Sequence, residues 1–425
     1  RQRQMCIRDR VEGDEYGIFP AMYKLCDQLN SGYVREPHRE EVTISFVNSD
    51  YSDNNKGICD TTAKLTALRQ KLKPDLYSVT VMFVNDSSEQ AVGHTCIFQP
   101  ILTVKTENNG FKFKEYSAVV DVDTLDAEEQ SLELQYRNKH VYGTGLGASV
   151  NWDIDLAGNG CIFSDFFPEV EVPAMDFSIP KDSCIEQSSL SMRFLSDLDK
   201  TLKSEKISML NTVITAYSDW ISTLENKFVS LRDCYKPAAK GNIDGCKKSR
   251  DRMASGLKIL AKDESAWSAF ELANRAMFMQ RVHLELQRQT ASSDRYPGDE
   301  ELSDLLDTLD YTSPEGLTAD KYSWRLFQIA FLLMSIDSVV NDTSPDRNIV
   351  DLIWFPTGGG KTEAYLGLTA FTIFYRRLAH GNVSRGTSVI MRYTLRLLAA
   401  QQFTRASTLI CACEYIRNDA VSRCL

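Results

Sequence analysis

Long apolar runs are absent from the sequence: no stretch of about eighteen uninterrupted apolar residues, the length that a membrane-spanning helix needs, occurs in it. The chain does not open with the charged and then apolar pattern of a secretion signal. Its 11 cysteines are dilute and include no Cys-x-x-Cys pair, and its 5 histidines are scattered. The sequence therefore argues against a membrane protein, a disulfide scaffold and a zinc centre, and it predicts a cytoplasmic chain with free thiols.

Disorder and fibrous structure have little support either, because 43% of the residues are hydrophobic and 25% are charged. A length of 425 residues predicts two or three domains. The net charge of −10 is unevenly distributed: residues 354–425 contain nine Lys or Arg against three acids, a balance of +6, which leaves −16 for the rest. Such a basic segment indicates a nucleic-acid contact at one end of the chain, or else solvated helix faces.

The N-terminal part of the chain has the pattern of β-strands. Apolar residues alternate with polar ones in Val42–Phe46 and again in Val79–Phe83. Asn109-Gly110 lies between two further apolar segments and is typical of a hairpin turn. Residues 11–175 are therefore predicted to form a β-rich domain, either an antiparallel sandwich or a barrel.

The middle of the chain has helical periodicity instead. Apolar residues from Leu210 to Phe228 lie on one face of a long helix, and a second helical stretch has an aromatic stripe from Trp267 to Leu284. Residues 181–293 are predicted to form a helical layer with this stripe in its core. Residues 294–320 are rich in acids and are predicted to be a linker between domains.

The segment that is most informative about chemistry follows Asn348. An apolar, β-branched run, Ile349–Phe355, leads into a glycine loop, and a helix-forming run, Glu363–Leu378, follows the loop. A strand, a glycine loop and a helix in this order are the setting in which many proteins bind phosphate. The loop residues are Pro356, Thr357, Gly358, Gly359, Gly360, Lys361 and Thr362.

Each type of residue in this loop has a physical role in binding phosphate. The glycines let successive N–H groups point at a phosphate, and the helix N-terminus adds partial positive charge. Lys361 would reach the β- and γ-phosphates, and the Thr362 hydroxyl would ligate Mg²⁺. The loop therefore predicts a nucleotide and Mg²⁺ as cofactors, with Lys361 and Thr362 as the catalytic residues.

The loop departs from the strict P-loop template, because Phe355 occupies the first glycine position. The remaining pattern, Pro-Thr-Gly-x-Gly-Lys-Thr, resembles motif I of superfamily 2 helicases and translocases. Gly386–Met391 is predicted to be the next strand, parallel and adjacent to the first, because a right-handed crossover suits this connection length.

Two further segments add to the resemblance. The residues after the second predicted strand resemble motif Ia, in which a turn contacts nucleic-acid phosphates, and the resemblance assigns this role to Thr394 and Arg396, with Arg392 as a further contact. Upstream, Trp324-Arg325-Leu326-Phe327-Gln328 precedes an apolar helix, where this family has a glutamine that recognises adenine. The resemblance assigns that role to Gln328, although a glutamine in this position is commonly a helix cap or a surface residue.

At family level, Trp354–Leu368 together with Met391–Leu398 resembles the large helicase subunit of DISARM-type bacterial anti-phage systems. The resemblance covers about residues 321–425. It implies that this segment is part of a RecA-like α/β motor lobe, and that the protein uses ATP, acts on duplex or single-stranded DNA and has a partner subunit in the same defence system.

The chain departs from the family in one respect. After Lys361 its only acids are Glu363, Glu414 and Asp419, and none follows an apolar strand, so the Mg²⁺-binding carboxylate pair of motif II is missing. We therefore expect an N-terminal fragment that ends after motif Ia, binds nucleotide poorly and hydrolyses none. Residues 1–10 have no periodicity and resemble adapter read-through, so they predict no element of the fold.

The expected function is ATP-dependent DNA helicase or translocase activity of the full-length parent in phage defence. The alternative is a nucleotide-gated subunit without motor activity that binds nucleic acid or a partner protein. Two other motifs have simpler interpretations: Gly143 to Ala148 is predicted to be a turn before a strand, and Cys411 and Cys413 lie on opposite faces of a helix, where a packed thiol is favoured over a metal or redox role.

Overall fold

We describe the protein from a computed structural model. The residues that the structure describes are 21–26, 32–37, 39–44, 46, 50–54, 63–86, 97, 99–106, 111–116, 121–165, 176–180, 182–291, 322–354, 359–381, 386–393 and 396–424. The chain divides into two compact units, Arg1–Val172 and Pro173–Leu425.

The first unit contains three small antiparallel sheets. One sheet pairs β1 (Ala21–Cys26) with β2 (Gly32–Pro37). The second has the order β3-β4-β5 and the third the order β6-β8-β7. Their strands are β3 (Tyr51–Asn54), β4 (Ala63–Lys73), β5 (Leu76–Asn85), β6 (Thr103–Lys105), β7 (Ser149–Ile154) and β8 (Gly160–Asp165). A short helix, α1 (Ala127–Tyr136), precedes β7.

Buried and more exposed residues alternate along β4, and this alternation explains the small core of this unit. Ala63, Leu65 and Ala67 are buried, and the residues between them are more exposed, as expected for a strand with one face covered. Val81 and Phe83 of β5 pack on the same core. The strand predicted around Val79–Phe83 is therefore confirmed, whereas residues 41–44 and 46 are in no strand, although Val42 and Ile44 contact this core.

The turn predicted at Asn109-Gly110 lies outside the described residues, and the strand pairing predicted on either side of it is wrong. Thr103–Lys105 pairs with Cys161–Phe163 of β8, and residues 111–115 form no strand. Leu102 and Ser164 add two hydrogen bonds to this pairing, one of 2.8 Å from the Leu102 N–H to the Ser164 hydroxyl and one of 2.8 Å from the Ser164 N–H to the Leu102 carbonyl. These hydrogen bonds between distant residues determine the partner of β6, although the local sequence favours a turn.

The second unit is helical in the part that the structure describes. Its helices are α2 (Lys203–Val229), α3 (Lys236–Lys262), α4 (Glu264–Ala291), α5 (Leu326–Val340), α6 (Lys361–His380) and α7 (Arg396–Cys424). The predicted helices around Leu210 and Trp267 are confirmed as α2 and α4. α3 was not separated from its neighbours by the sequence pattern.

The aromatic stripe of α4 lies at the centre of the core. Trp267, Phe270, Met277 and Phe278 are at most 4% exposed, and they belong to one apolar cluster with residues of α2, α3, α5, α6 and α7. The helical region and the segment that contains the glycine loop therefore share a single core. The predicted linker, residues 294–320, lies outside the described residues.

A buried tryptophan joins three parts of this core. Trp324 donates a 2.7 Å hydrogen bond from Nε1 to the Asn274 side chain on α4. Its ring covers Gly367 on α6, where an added Cβ would lie 2.7 Å from the ring atom Cη2. The backbone of residues 322–324 also pairs with residues 190–192, through bonds such as Trp324 N–H to the Leu190 carbonyl at 2.8 Å. The segment that leads into α5 is therefore held both by the side chain of Trp324 and by backbone hydrogen bonds.

Helices α3 and α5 cross at a glycine. A Cβ added at Gly256 would lie 2.0 Å from the backbone carbonyl oxygen of Leu333 and 3.3 Å from the Cβ of Ile336. Only a residue without a side chain allows so close an approach of the two backbones.

The two parallel strands predicted on either side of α6 are not present. Residues 349–354 and 386–393 are in no strand. Val350, Leu352 and Trp354 are 93%, 84% and 81% exposed. A parallel strand needs neighbours for its hydrogen bonds and helices on both faces for its side chains. Neither condition is met for these segments by the described residues.

The two neighbouring cysteines of α7 lie on opposite faces, as predicted: Cys411 is exposed and Cys413 is buried. Burial raises the pKa of the Cys413 thiol to about 12. At pH 8 we expect iodoacetamide to alkylate Cys411 within minutes and to leave Cys413 unmodified, because the thiolate fraction of Cys413 is then only about 1 in 10,000. Peptide mass spectrometry checks this result, and rapid alkylation of Cys413 in the folded chain would contradict its burial.

Candidate nucleotide-binding site

The helix predicted at Glu363–Leu378 is present as α6, and it begins two residues earlier, at Lys361. Gly359, Gly360, Lys361 and Thr362 are described, whereas Pro356, Thr357 and Gly358 lie outside the described residues. Lys361 and Thr362 are half-buried and stand in the first turn of the helix, where backbone N–H groups lack helical partners and favour an anion.

Gly360 has the backbone conformation that a tight loop requires. Its φ is +83°, in the left-handed region that favours glycine, and it forms the N-cap of α6. A Cβ at this position would lie 2.7 Å from Nε2 of Gln328. The loop thus needs glycine here for two independent reasons.

Two side chains at the start of α5 hold the glycine loop. The Arg325 guanidinium donates a 2.6 Å hydrogen bond to the Gly359 carbonyl, and Gln328 Nε2 donates one of 2.7 Å to the Gly360 carbonyl. Arg325 also lies 3.7 Å from the ring centre of Phe177, a cation–π contact that restricts its orientation. We call Arg325 and Gln328 the loop clamp.

Both the oxygen and the nitrogen of the Gln328 side-chain amide form hydrogen bonds within the protein. Besides the bond to Gly360, its Oε1 accepts a 2.8 Å hydrogen bond from the Arg325 backbone N–H, which makes it part of a helix cap. The side chain is buried, at 4% exposure. The structure therefore places Gln328 against the loop, and its role towards adenine stays a prediction.

The predicted DNA-contacting turn approaches the loop helix. The Tyr393 phenol shares a hydrogen bond with the Thr362 side chain; burial raises the pKa of this phenol, and the hydrogen bond acts in the opposite direction. Arg392, beside it, is exposed. Thr394 lies outside the described residues, and so does the side chain of Arg396, whose backbone begins α7.

A buried ion cluster that the sequence did not reveal lies in the same turn as Lys361. Oε1 of Glu363 accepts hydrogen bonds from Arg281 on α4, at 3.2 Å, and from Arg405 on α7. Glu363 is 8% exposed. Its place two residues after Lys361 was a usable signal, because an acid in the first turn of a helix is favoured by the helix dipole.

A second ion pair anchors the segment that leads into the loop. Both terminal nitrogens of Arg252, on α3, donate to the Asp351 carboxylate, at 2.6 and 2.8 Å. Asp346 lies 3.0 Å from Nε of the same guanidinium. The hydrogen bonds to Asp351 are the main reason why the pKa of Arg252 is raised, so this guanidinium stays charged.

The three acids that follow Lys361 are all engaged with arginines. Glu363 is paired as above, Glu414 pairs with Arg417 at 2.6 Å, and Asp419 pairs with Arg275 at 3.1 Å. All three lie on α6 or α7.

The described residues fit a phosphate group. Gly360 gives the loop its left-handed turn, the first amides of α6 are at a helix N-terminus, and Lys361 stands beside them. Thr362 is in the position to hold Mg²⁺, and its present partner is Tyr393. Among the described residues we find no cluster of His, Cys, Asp or Glu suited to a metal ion, and no helix that could cross a membrane.

No family model matches the chain. The chain is similar to the DISARM protein DrmA of Bacillus paralicheniformis, with 32% identity over 367 residues. The similarity covers 83% of this chain and 30% of the relative, so the chain spans less than a third of the length of the curated relative that it matches. The chain is thus related in sequence to a DISARM-type protein.

Proposed function

We propose that this chain is part of an ATP-dependent DNA helicase or translocase that acts in bacterial phage defence together with a partner subunit. Gly359, Gly360, Lys361 and Thr362 bind the ATP phosphates and Mg²⁺, and the turn at Arg392, Thr394 and Arg396 contacts DNA. The segment from residue 322 onward forms part of a RecA-like lobe.

The observation that supports this proposal most directly is the geometry of the loop. A glycine with positive φ stands at the N-terminus of a 20-residue helix and is held by a dedicated clamp, with Lys361 next to it. The similarity to a DISARM protein supports the role in phage defence. The contact between Tyr393 and Thr362 supports a connection between the nucleotide loop and the turn proposed to bind DNA.

The test is ATP turnover by a full-length protein that contains this chain, measured with and without DNA. A motor should hydrolyse ATP faster when duplex or single-stranded DNA is added. The alternative function is a nucleotide-gated subunit without motor activity that binds nucleic acid or a partner protein. Tight ATP binding with no turnover in the full-length protein would support that alternative.

For the DNA contact we expect Arg396→Ala to weaken DNA binding about equally for different sequences, because phosphates rather than bases are the partner. The slope of log affinity against log salt should fall by roughly one unit. The matched control is Arg417→Ala on the same helix, where Arg417 pairs with Glu414. An unchanged affinity and slope for Arg396→Ala would mean that Arg396 is an ordinary surface residue.

A further inference from the structure

Glu363 connects three helices directly beside the proposed nucleotide loop. It lies in the first turn of α6, and its Oε1 binds Arg281, 82 positions earlier, and Arg405, 42 positions later. Both arginine side chains are partly buried, at 34% and 22% exposure. The cluster therefore joins α4 and α7 to the same helical turn that contains Lys361 and Thr362.

Only one oxygen of this carboxylate is used by the arginines. Oε2 of Glu363 is buried and has no hydrogen-bond partner among the described residues. It faces the loop, since a Cβ built on Gly360 would lie 3.4 Å from it. The carboxylate thus stands between the loop on one side and the two arginines on the other.

A displacement of the loop cannot leave this cluster unchanged. Gly360, Lys361 and Glu363 are within one turn of α6, so a shift of the loop backbone shifts the carboxylate with it. The two arginines must follow, because separating them from a buried carboxylate would leave unpaired charges of low exposure. Arg405 lies on the helix that begins at the proposed DNA-contacting turn, and Tyr393 in that turn touches Thr362 by a second route.

We propose that Glu363 is a positioning residue that transmits the state of the nucleotide loop to α7 through Arg405, and so to the turn that contacts DNA. This inference rests on the proposed function, because it requires that the loop binds a nucleotide. Glu363 does not touch the phosphates; it acts through the two arginines.

Hydrogen exchange of the 425-residue chain tests this transmission, with Mg²⁺ and the slowly hydrolysed analogue ATPγS as the probe. At a nucleotide concentration about ten times Kd, any region whose opening requires nucleotide release gains about tenfold in protection. We expect this gain in the wild-type chain both at residues 360–364 and at residues 402–410 of α7.

In Glu363→Gln the carboxamide keeps the shape of the side chain and loses the charge that holds the arginines. We expect residues 360–364 to gain protection as in the wild type, and residues 402–410 to gain less than about twofold. Arg405→Gln removes the other partner of the same ion pair, at the more exposed of the two residues, and should give the same result. This second variant tests the inference if Glu363→Gln fails to fold. Glu414→Gln, on the exposed face of α7, is the matched control and should behave as the wild type.

Two outcomes would overturn the inference while leaving the proposed function in place. One is an equal gain at residues 402–410 in the wild type and in both cluster variants. The other is a wild-type gain that is confined to residues 360–364. If nucleotide gives no protection at residues 360–364 in the wild type, the proposed function fails, and the inference fails with it.

Discussion

Lys361→Ala is expected to abolish ATP turnover in a full-length protein that contains this chain. The Lys361 ammonium would contact the β- and γ-phosphates, where negative charge accumulates during phosphoryl transfer. A hydrogen bond to a charged group is worth about 1.5–3 kcal/mol, so the affinity of the 425-residue chain for Mg–ATP should fall by about tenfold to a hundredfold. The fold should survive, since Lys361 is only half-buried at the N-terminus of α6.

Turnover assays and titrations with a fluorescent ATP analogue measure these effects, and circular dichroism shows whether the helices are intact. Lys258→Ala is the matched control, because Lys258 is an exposed lysine on another helix, α3. Turnover that persists in Lys361→Ala would show that the loop is not the catalytic phosphate site, and the helicase proposal would have to be abandoned.

Gly256→Ala is expected to lower the free energy of unfolding of the helical unit by about 2–3 kcal/mol, the upper part of the usual range for overpacking. The new methyl group would lie 2.0 Å from the Leu333 carbonyl oxygen, and a backbone atom cannot swing aside as a side chain can. Helices α3 and α5 would have to separate, and this would loosen a core in which Leu257, Leu332 and Leu333 are at most 6% exposed.

Gly241→Ala on the same helix is a control for which we expect a change in stability of the opposite sign. A Cβ at Gly241 would meet nothing within 4 Å, so alanine should raise stability by about 0.5–1 kcal/mol through its better helix propensity. Urea unfolding followed by the helical signal at 222 nm measures both variants. A Gly256→Ala protein as stable as the wild type would mean that α3 and α5 do not approach as closely as described.

Helices were more predictable from the sequence than strands, for a physical reason. The apolar faces of α2 and α4 recur every three to four residues, so the local sequence alone identifies them. A strand is completed only by its partner. Thr103–Lys105 pairs with residues nearly sixty positions away in β8, whereas residues 349–354 have the composition of a strand but pair with no strand in the described part of the chain.

In the candidate site, too, features formed by adjacent residues were predictable and features formed by distant residues were not. The glycine loop and Lys361 were found because all their parts are adjacent in the sequence. The clamp by Arg325 and the ion cluster around Glu363 were missed, because their contacts join residues that are 34 to 82 positions apart. Periodicity reports which residues share an element, and it gives no information about which charged residues of distant elements will meet.

The pairing of residues 190–192 with residues 322–324 has a consequence for the order of folding. It closes a loop of about 130 residues, an unfavourable step in chain entropy that the packed helices inside the loop must compensate. Arg325 and Gln328 follow the paired segment immediately. We expect their contacts with Gly359 and Gly360 to form after this closure, and so after α2, α3 and α4 have assembled.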